Sequence, residues 1–92
     1  MTADETGSWT IPHDVRVTAD GESLLLISPN GQYFGLDDIG VRIWRALEHD
    51  DLAATVLKIS EDYEVSVDVV SSDMRSLLHD LQRVGLLQRG KS

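Results

Sequence analysis

Residues 23–36 read SLLLISPNGQYFGL, and this stretch decides the fold. An apolar run at 24–27 leads into Pro29-Asn30-Gly31, and the chain resumes with Gln32-Tyr-Phe-Gly-Leu36. Proline, asparagine and glycine in succession are typical of a tight turn, and the flanking aliphatic and aromatic residues are frequent in strands. The stretch therefore predicts two antiparallel strands. The unbroken apolar run further predicts that the first of them is a central strand covered on both sides.

Upstream of this stretch lies a second hairpin signal. Val15-Arg-Val17 alternates as a short strand does, and Asp20-Gly21 follows it. An Asp-Gly pair favours a two-residue hairpin because both residues can take positive φ at its central positions. The N-terminal half is therefore predicted to be a three-stranded antiparallel meander.

Downstream, the apolar spacing changes to that of helices. Asp37 or Asp38 can cap the first helix, Ser66 can cap the third, and Gly85 can end the third in the left-handed conformation. A break at residues 49–51 separates the first two. The predicted apolar stripes are Ile39, Ile43 and Leu47 beside Trp44; Leu52, Val56, Ile59 and Tyr63; and Val67, Val70, Met74, Leu77, Leu81 and Val84.

The order βββααα predicts an α+β fold in which the helices cover one face of the sheet. It resembles a winged helix-turn-helix whose wing strands have moved to the front. Residues 12–92 are expected to form this domain. Residues 1–11 are polar and without periodicity, so we expect a flexible tail, pinned near Trp9 and Ile11.

Composition restricts the compartment and the partners. The chain has no cysteine, so disulfides and thiolate chemistry are excluded. Its net charge of −8 would repel a phosphate backbone, which argues against nucleic acid as a partner. The apolar run at 24–27 is far below the ~20 residues of a membrane helix, and residues 1–7 carry no cationic segment of a secretory signal. We expect a cytoplasmic protein without a membrane partner.

Residue patterns that carry catalysis are missing from the sequence. His13, His49 and His79 lie in three different predicted elements, without the spacing of metal ligands. No serine lies in a Gly-x-Ser-x-Gly turn, and no glycine-rich phosphate loop occurs. The sequence therefore predicts a protein that is not an enzyme, with no catalytic residues, no metal and no cofactor.

The winged-helix order leaves a DNA-binding regulator as the main alternative. A recognition helix carries arginine, lysine, asparagine or glutamine toward the bases. Between residues 66 and 84, however, three aspartates stand against two arginines, a net charge of −1. This third helix is poorly suited to DNA.

A family resemblance runs through residues 13–88. The chain resembles PqqD-like proteins in Tyr33-Phe-Gly-Leu-Asp37, Gly40, Ile43-Trp44, Leu47, Val56, Glu61-Asp-Tyr-Glu-Val65, Asp73-Met74, Leu77-Leu78, Leu81 and Gly85-Leu-Leu87. It departs from them at residues 48–51, Glu-His-Asp-Asp, where the family often has an Asp-Gly pair. That departure falls in the loop between the first two helices.

The resemblance implies a recognition element for the leader segment of ribosomally made precursor peptides. A free-standing domain of this length is most similar to the leader-binding protein of lasso-peptide pathways, whose partners are a separate leader peptidase and a cyclase. The chaperone of pyrroloquinoline-quinone synthesis is a close alternative. In such proteins the leader adds to the third strand as an antiparallel strand, and the third helix forms the other wall of a groove.

Candidate binding residues follow from this resemblance and from the predicted periodicities. In the third strand, Phe34 and Leu36 are expected to point into the core, and Gly35 marks either a bulge or a close approach of backbones. In the third helix, Val69 lies off the apolar stripe and is therefore expected to be exposed. The predicted peptide-binding residues are Gln32, Tyr33, Phe34, Gly35, Leu36, Val69, Val70, Asp73, Met74 and Leu77.

Overall fold

The computed structural model describes residues 9–49 and 51–89. Its strands are β1 (Trp9–Thr10), β2 (Arg16–Asp20), β3 (Ser23–Ile27), β4 (Tyr33–Leu36) and β5 (Gln88–Arg89), and its helices are α1 (Asp38–His49), α2 (Leu52–Tyr63) and α3 (Val67–Arg83). Strands β2, β3 and β4 form an antiparallel sheet in that order, ahead of the helices in the chain. The predicted α+β fold, a three-stranded meander followed by three helices, is confirmed.

The first hairpin joins β2 to β3. Asp20 pairs with Ser23, so the loop consists of Gly21 and Glu22, and of these two only Gly21 has positive φ, +66°. Glycine at the first central position is the pattern of a type II′ turn, which matches the twist of the flanking strands. The two-residue hairpin is therefore confirmed, but its central residues are Gly21 and Glu22 rather than Asp20 and Gly21.

The second hairpin is built around Ser28, a buried polar residue. The Ser28 N–H donates to the Gln32 carbonyl at 2.8 Å, and the Gln32 N–H donates to Ser28 Oγ at 2.9 Å. The Gly31 N–H donates to the Ser28 carbonyl at 2.9 Å, and Gly31 has a φ of +90°. A positive φ after a tight turn closes a three-residue hairpin loop, so this turn sets the register of β4.

The sheet has one face in the core. Leu24 pairs with Leu36 and Leu26 pairs with Phe34, so these side chains share a face and pack with the helices. Leu25 and Ile27 point the other way and are only half buried. The prediction that the central strand is covered on both sides is therefore wrong, because the helices pack against a single face.

Helix α1 starts close against the end of β4. Asp37 caps it, since Asp37 Oδ1 accepts from the Gly40 N–H at 3.4 Å and the Asp37 carbonyl accepts from the Val41 N–H at 2.7 Å. Gly40 is buried against Leu36, and a Cβ at this position would lie 3.0 Å from Leu36 Cδ2. The glycine therefore permits the close contact between helix and strand.

Helix α3 begins and ends where the sequence predicts. Ser66 Oγ accepts from the Val69 N–H at 3.2 Å. At the other end Gly85 has a φ of +87°, and the Leu86 N–H donates to the Leu81 carbonyl at 2.9 Å. These contacts are an N-cap and a Schellman-type C-cap.

The apolar stripes of α2 and α3 need correction. In α3 the buried position is Leu78, at 1% exposure, whereas Leu77 is half buried and Val67 is exposed. In α2, Leu52, Val56 and Ile59 are buried as predicted, but Tyr63 is exposed at the surface. Both differences leave a side chain free to border a surface groove.

The two ends of the described chain pair with each other. Trp9 pairs with Arg89 and Thr10 with Gln88, and the Arg89 guanidinium lies 4.9 Å from the centre of the Trp9 ring. Ile11 packs against the core beside them. Residues 1–8 of the predicted tail lie outside the described residues.

Candidate functional site

Strand β4 is an edge of the three-stranded sheet. β3 lies on one side of β4, and no described strand pairs with its other side. An edge strand carries N–H and C=O groups that can accept another strand.

The register identifies which backbone groups of β4 point outward. In an antiparallel sheet, residues bonded to one neighbour alternate with residues bonded to the other. A two-residue loop is closed by a hydrogen-bonded pair, so Ser23 bonds to β2, and Leu24 and Leu26 therefore bond toward β4. The Ser28–Gln32 hydrogen bond gives the same alternation from the other turn.

It follows that Phe34 and Leu36, the partners of Leu26 and Leu24, use their N–H and C=O groups within the sheet. The N–H and C=O groups of Tyr33 and Gly35 point away from β3, toward the open edge. An added strand would therefore bond to Tyr33 and Gly35.

The side chains of β4 alternate in the other sense. Phe34 and Leu36 lie on the inner face, as expected, while Tyr33 is 68% exposed on the outer face. Gly35 pairs with Leu25 in an unbroken register, so it is not a bulge. A Cβ at Gly35 would meet no other atom within 4 Å, which leaves the close approach of a partner as the remaining interpretation of this glycine.

A groove of about 680 Å³ runs along this edge. Its walls are β4, the start of α1 and the middle of α3. The lining residues are Asp20, Ser23, Leu24, Leu25, Phe34, Gly35, Leu36, Asp37, Asp38, Ile39, Gly40, Ile43, Tyr63, Asp73 and Leu77. The lining combines aliphatic and aromatic side chains with four carboxylates.

The predicted binding residues divide into two sets. Those that line the groove are Phe34, Gly35, Leu36, Asp73 and Leu77. The others lie elsewhere: Gln32 and Tyr33 are exposed in and beside the turn, Val69 is 51% exposed on α3 as expected, and Val70 and Met74 are buried in the core. Met74 also borders a smaller hollow between α2 and α3.

Sequence reasoning did not place the hairpin end and the start of α1 at the groove. Leu24 pairs with Leu36, which brings Asp20 and Ser23 beside the end of β4. Asp38 and Ile39 follow directly in the chain. The available signal was the register itself, because the two turns together determine which residues lie opposite Leu36.

Tyr63 lines the groove and contacts the start of α1. Its hydroxyl donates to Asp38 Oδ2 at 3.0 Å, and this hydrogen bond is the main reason that the pKa of Tyr63 is raised above its ordinary value of 10.0. Nearby, Arg42 pairs with Asp62 at 2.9 Å and lies 6.0 Å from the centre of the Tyr63 ring. The end of α2 is therefore tied to the start of α1 by polar contacts.

Two further findings concern other kinds of site. Within residues 9–49 and 51–89, no three histidine, aspartate or glutamate side chains come together as metal ligands would. Among the helices in the same part of the chain, none combines the length and apolar character that a bilayer crossing requires.

Comparison with known proteins gives two matches. The family model of coenzyme PQQ synthesis protein D (PqqD) matches residues 22–87, well over half of the chain. The solved structure of TbiB1 in complex with the TbiA(beta) leader peptide is similar, with 31% sequence identity and a TM-score of 0.78. The similarity covers 89% of this chain and 98% of the TbiB1 chain. No curated protein sequence matches.

Proposed function

Because this chain belongs to the PqqD family, we propose that it binds the leader segment of a ribosomally made precursor peptide, which adds to β4 as an antiparallel strand. The observation that carries this proposal is an edge strand whose Tyr33 and Gly35 backbone groups point outward beside a groove with an apolar lining. Strand addition supplies main-chain hydrogen bonds that tolerate many sequences, and the groove selects side chains. The complex of TbiB1, to which the chain is similar, contains a leader peptide.

The proposed site needs both kinds of contact. A leader segment is disordered before it binds, so its ordering opposes association. The hydrogen bonds to β4 offset only part of that cost. Apolar side chains that enter between Phe34 and Leu77 supply the rest, because both residues are half buried and line the groove. Val69 would then be an exposed apolar residue beside the site. Val70 and Met74 would support the helix wall from the core.

The protein acts without catalysis in this proposal. It presents the bound precursor, in the cytoplasm, to a separate leader peptidase and, in a lasso-type pathway, to a cyclase. The family description names coenzyme PQQ synthesis, and a role in that pathway would use the same groove with another precursor.

The DNA-binding alternative is disfavoured. The family and the leader-peptide complex both fit a peptide binder. The exposed surface of α3 includes Asp68 and Asp73, which would repel phosphate.

A parallel titration tests the proposal. Fluorescein-labelled TbiA(beta) leader peptide, as the first probe, and a labelled DNA duplex are each titrated with the protein at physiological salt. We expect saturable binding of the peptide and none of the duplex. Saturable binding of the duplex without binding of any leader peptide would contradict the proposal.

Catalysis is tested separately by mass spectrometry. Precursor peptide incubated with the pure protein should keep its mass, while the protein should accelerate cleavage by an added leader peptidase. Cleavage by the protein alone would overturn the non-catalytic role.

A further inference from the structure

All the ionisable side chains that line the groove and ordinarily carry charge at neutral pH are acidic. They are Asp20, Asp37, Asp38 and Asp73, and no lysine, arginine or histidine of the described chain lines the groove beside them. Such a field attracts a cationic side chain and repels an anionic one.

Among residues 9–49 and 51–89, no base forms an ion pair with these four carboxylates. Arg42, which contacts Tyr63 at the edge of the groove, pairs with Asp62 instead. Asp37 and Asp38 accept hydrogen bonds from neutral donors, a backbone N–H and the Tyr63 hydroxyl. Asp20 and Asp73 have no ion-pair partner among the described residues. The negative charge is therefore available to a bound segment.

Three of the carboxylates lie at one end of β4. Asp37 and Asp38 directly follow the strand, and the Leu24–Leu36 pair brings Asp20 to the same end. Asp73 faces them across the groove from α3. A strand that adds antiparallel to β4 runs in the opposite direction, so its N-terminal part lies at this acidic end.

The alternation of β4 gives the spacing. A side chain opposite Phe34 in the added strand points to the inner face, toward Leu77. The residue two positions earlier in the added strand lies opposite Leu36, also on the inner face, and the residue four positions earlier lies beside Asp37 and Asp38. Lysine and arginine can lay their aliphatic stems along the apolar lining and extend their charge to the carboxylates.

We infer that the leader segment bound by this chain carries a lysine or arginine two or four residues N-terminal to the apolar side chain that enters the groove opposite Phe34. This inference rests on the proposed function and adds to it a charge and a direction. Because the carboxylates are solvent accessible, each ion pair between a carboxylate and the basic residue of the leader should change the affinity for the leader by about 1.5- to 5-fold, and by more at low salt.

A selection experiment tests the inference with random peptides in place of a natural leader. Peptides long enough to span the strand are displayed on phage and selected on the immobilised full chain. Binding of the enriched peptides is then compared with their binding to the Gly35→Pro variant, which lacks an outward N–H of β4. We expect enriched peptides to carry lysine or arginine on the N-terminal side of an apolar residue, at the spacing above, and to lose affinity for Gly35→Pro.

Titration of one enriched synthetic peptide then locates the contact. Replacing its basic residue by serine should weaken binding to the wild type, and should have a smaller effect on an Asp20→Asn, Asp73→Asn double variant, in which only Asp37 and Asp38 of the groove carboxylates remain. Asp68→Asn is the matched control, because Asp68 is an exposed α3 residue outside the groove lining and should leave affinity unchanged.

The outcomes separate this inference from the proposed function. Peptides that depend on Gly35 but show no preference for a basic residue would overturn the inference and leave leader binding standing. Peptides that bind Gly35→Pro as tightly as the wild type, or a selection that enriches none, would contradict the proposed function as well.

Discussion

Gly35 and Gly40 lie five positions apart, and the space around their α-carbons differs. A Cβ at Gly35 meets no other atom within 4 Å, whereas a Cβ at Gly40 would lie 3.0 Å from Leu36 Cδ2 and 3.3 Å from Leu36 Cβ. Neither glycine has the positive φ found at Gly21, Gly31 and Gly85. Gly40 is therefore required by packing, while the isolated domain has no such need at Gly35.

The same substitution should consequently have opposite effects at the two positions. Gly35→Val should raise the free energy of unfolding by about 0.5–1 kcal/mol, because valine suits a strand better than glycine. Gly40→Val should lower it by about 1–3 kcal/mol, because Leu36 is buried and paired with β3 and cannot move aside. Urea unfolding of both variants measures the difference. Equal losses of stability would show that Gly35 is also required by the fold.

The Tyr63–Asp38 contact predicts a pH dependence. The hydrogen bond to Asp38 favours the neutral phenol, so the pKa of Tyr63 is raised in the folded protein. Its contribution to stability is therefore fully present below pH 10, the ordinary value, and is lost as the pH rises through the raised pKa. Asp38→Asn should move the pKa of Tyr63 back toward its ordinary value.

Absorbance of the phenolate during an alkaline titration measures this shift. The Tyr63→Phe variant distinguishes the absorbance change of Tyr63 from that of Tyr33. An unchanged pKa of Tyr63 in Asp38→Asn would mean that another group raises it.

At the scale of elements, α3 has two separate tasks on adjacent positions. Leu78 is buried in the core, while Leu77 is half buried and lines the groove. Leu78→Ala should therefore cost about 2–5 kcal/mol of stability. Leu77→Ala should cost clearly less and should weaken leader binding. Thermal melting with a leader titration on both variants checks this, and a Leu77→Ala variant with unchanged affinity would remove α3 from the binding site.

The adjacent leucines also show a limit of sequence reasoning. The series 70, 74, 77, 81 and the series 70, 74, 78, 81 both fit one face of a helix, so periodicity alone cannot choose between Leu77 and Leu78. The choice depends on how α3 packs against α2 and the rest of the core. The caps at Ser66 and Gly85 were predictable, because they depend on local hydrogen bonds.

The order of the strands was predictable for a similar reason. The side to which each backbone N–H and C=O group of β4 points was not. Two short turns allow only an antiparallel meander with β4 at its edge. Which amides of β4 face outward depends on loop length, and Asp20-Gly21 suggested a different pair of central residues from those found. Prediction from the sequence therefore identified the strand that we propose as the docking edge, but not its hydrogen-bonding register.

At the scale of the whole molecule, the least predictable feature is the pairing of Trp9–Thr10 with Gln88–Arg89. Two-residue strands carry almost no periodic signal, and these two lie at opposite ends of the chain. The groove is similarly hard to predict from local patterns, because it brings together the first hairpin, α1, the end of α2 and α3. Half of the binding residues that were predicted from local patterns do line the groove, because those residues lie on β4 and on one face of α3.

The charge of the molecule bears on the same groove. The chain carries −8 overall, and the carboxylates of the groove contribute four of its acidic groups. Association with a leader that carries basic residues should therefore become faster as salt is lowered. Stopped-flow measurement of the association rate at two salt concentrations checks this expectation, and a rate independent of salt would contradict it.

Strand β4 is the proposed docking edge, and proline substitution tests this role most directly. Phe34 bonds within the sheet, so Phe34→Pro should melt markedly lower. The N–H of Gly35 points outward, so Gly35→Pro should stay folded and lose only the hydrogen bond that a leader would accept. Gly35→Ala is the matched control, because it keeps that N–H.

The decisive measurement is a titration of labelled leader peptide with Gly35→Pro and Gly35→Ala, both shown by melting to be folded. We expect Gly35→Pro to bind about tenfold or more weakly than Gly35→Ala, which corresponds to the loss of one main-chain hydrogen bond that leaves its partner unsatisfied. A folded Gly35→Pro variant that binds leader as tightly as Gly35→Ala would show that β4 is not the docking edge.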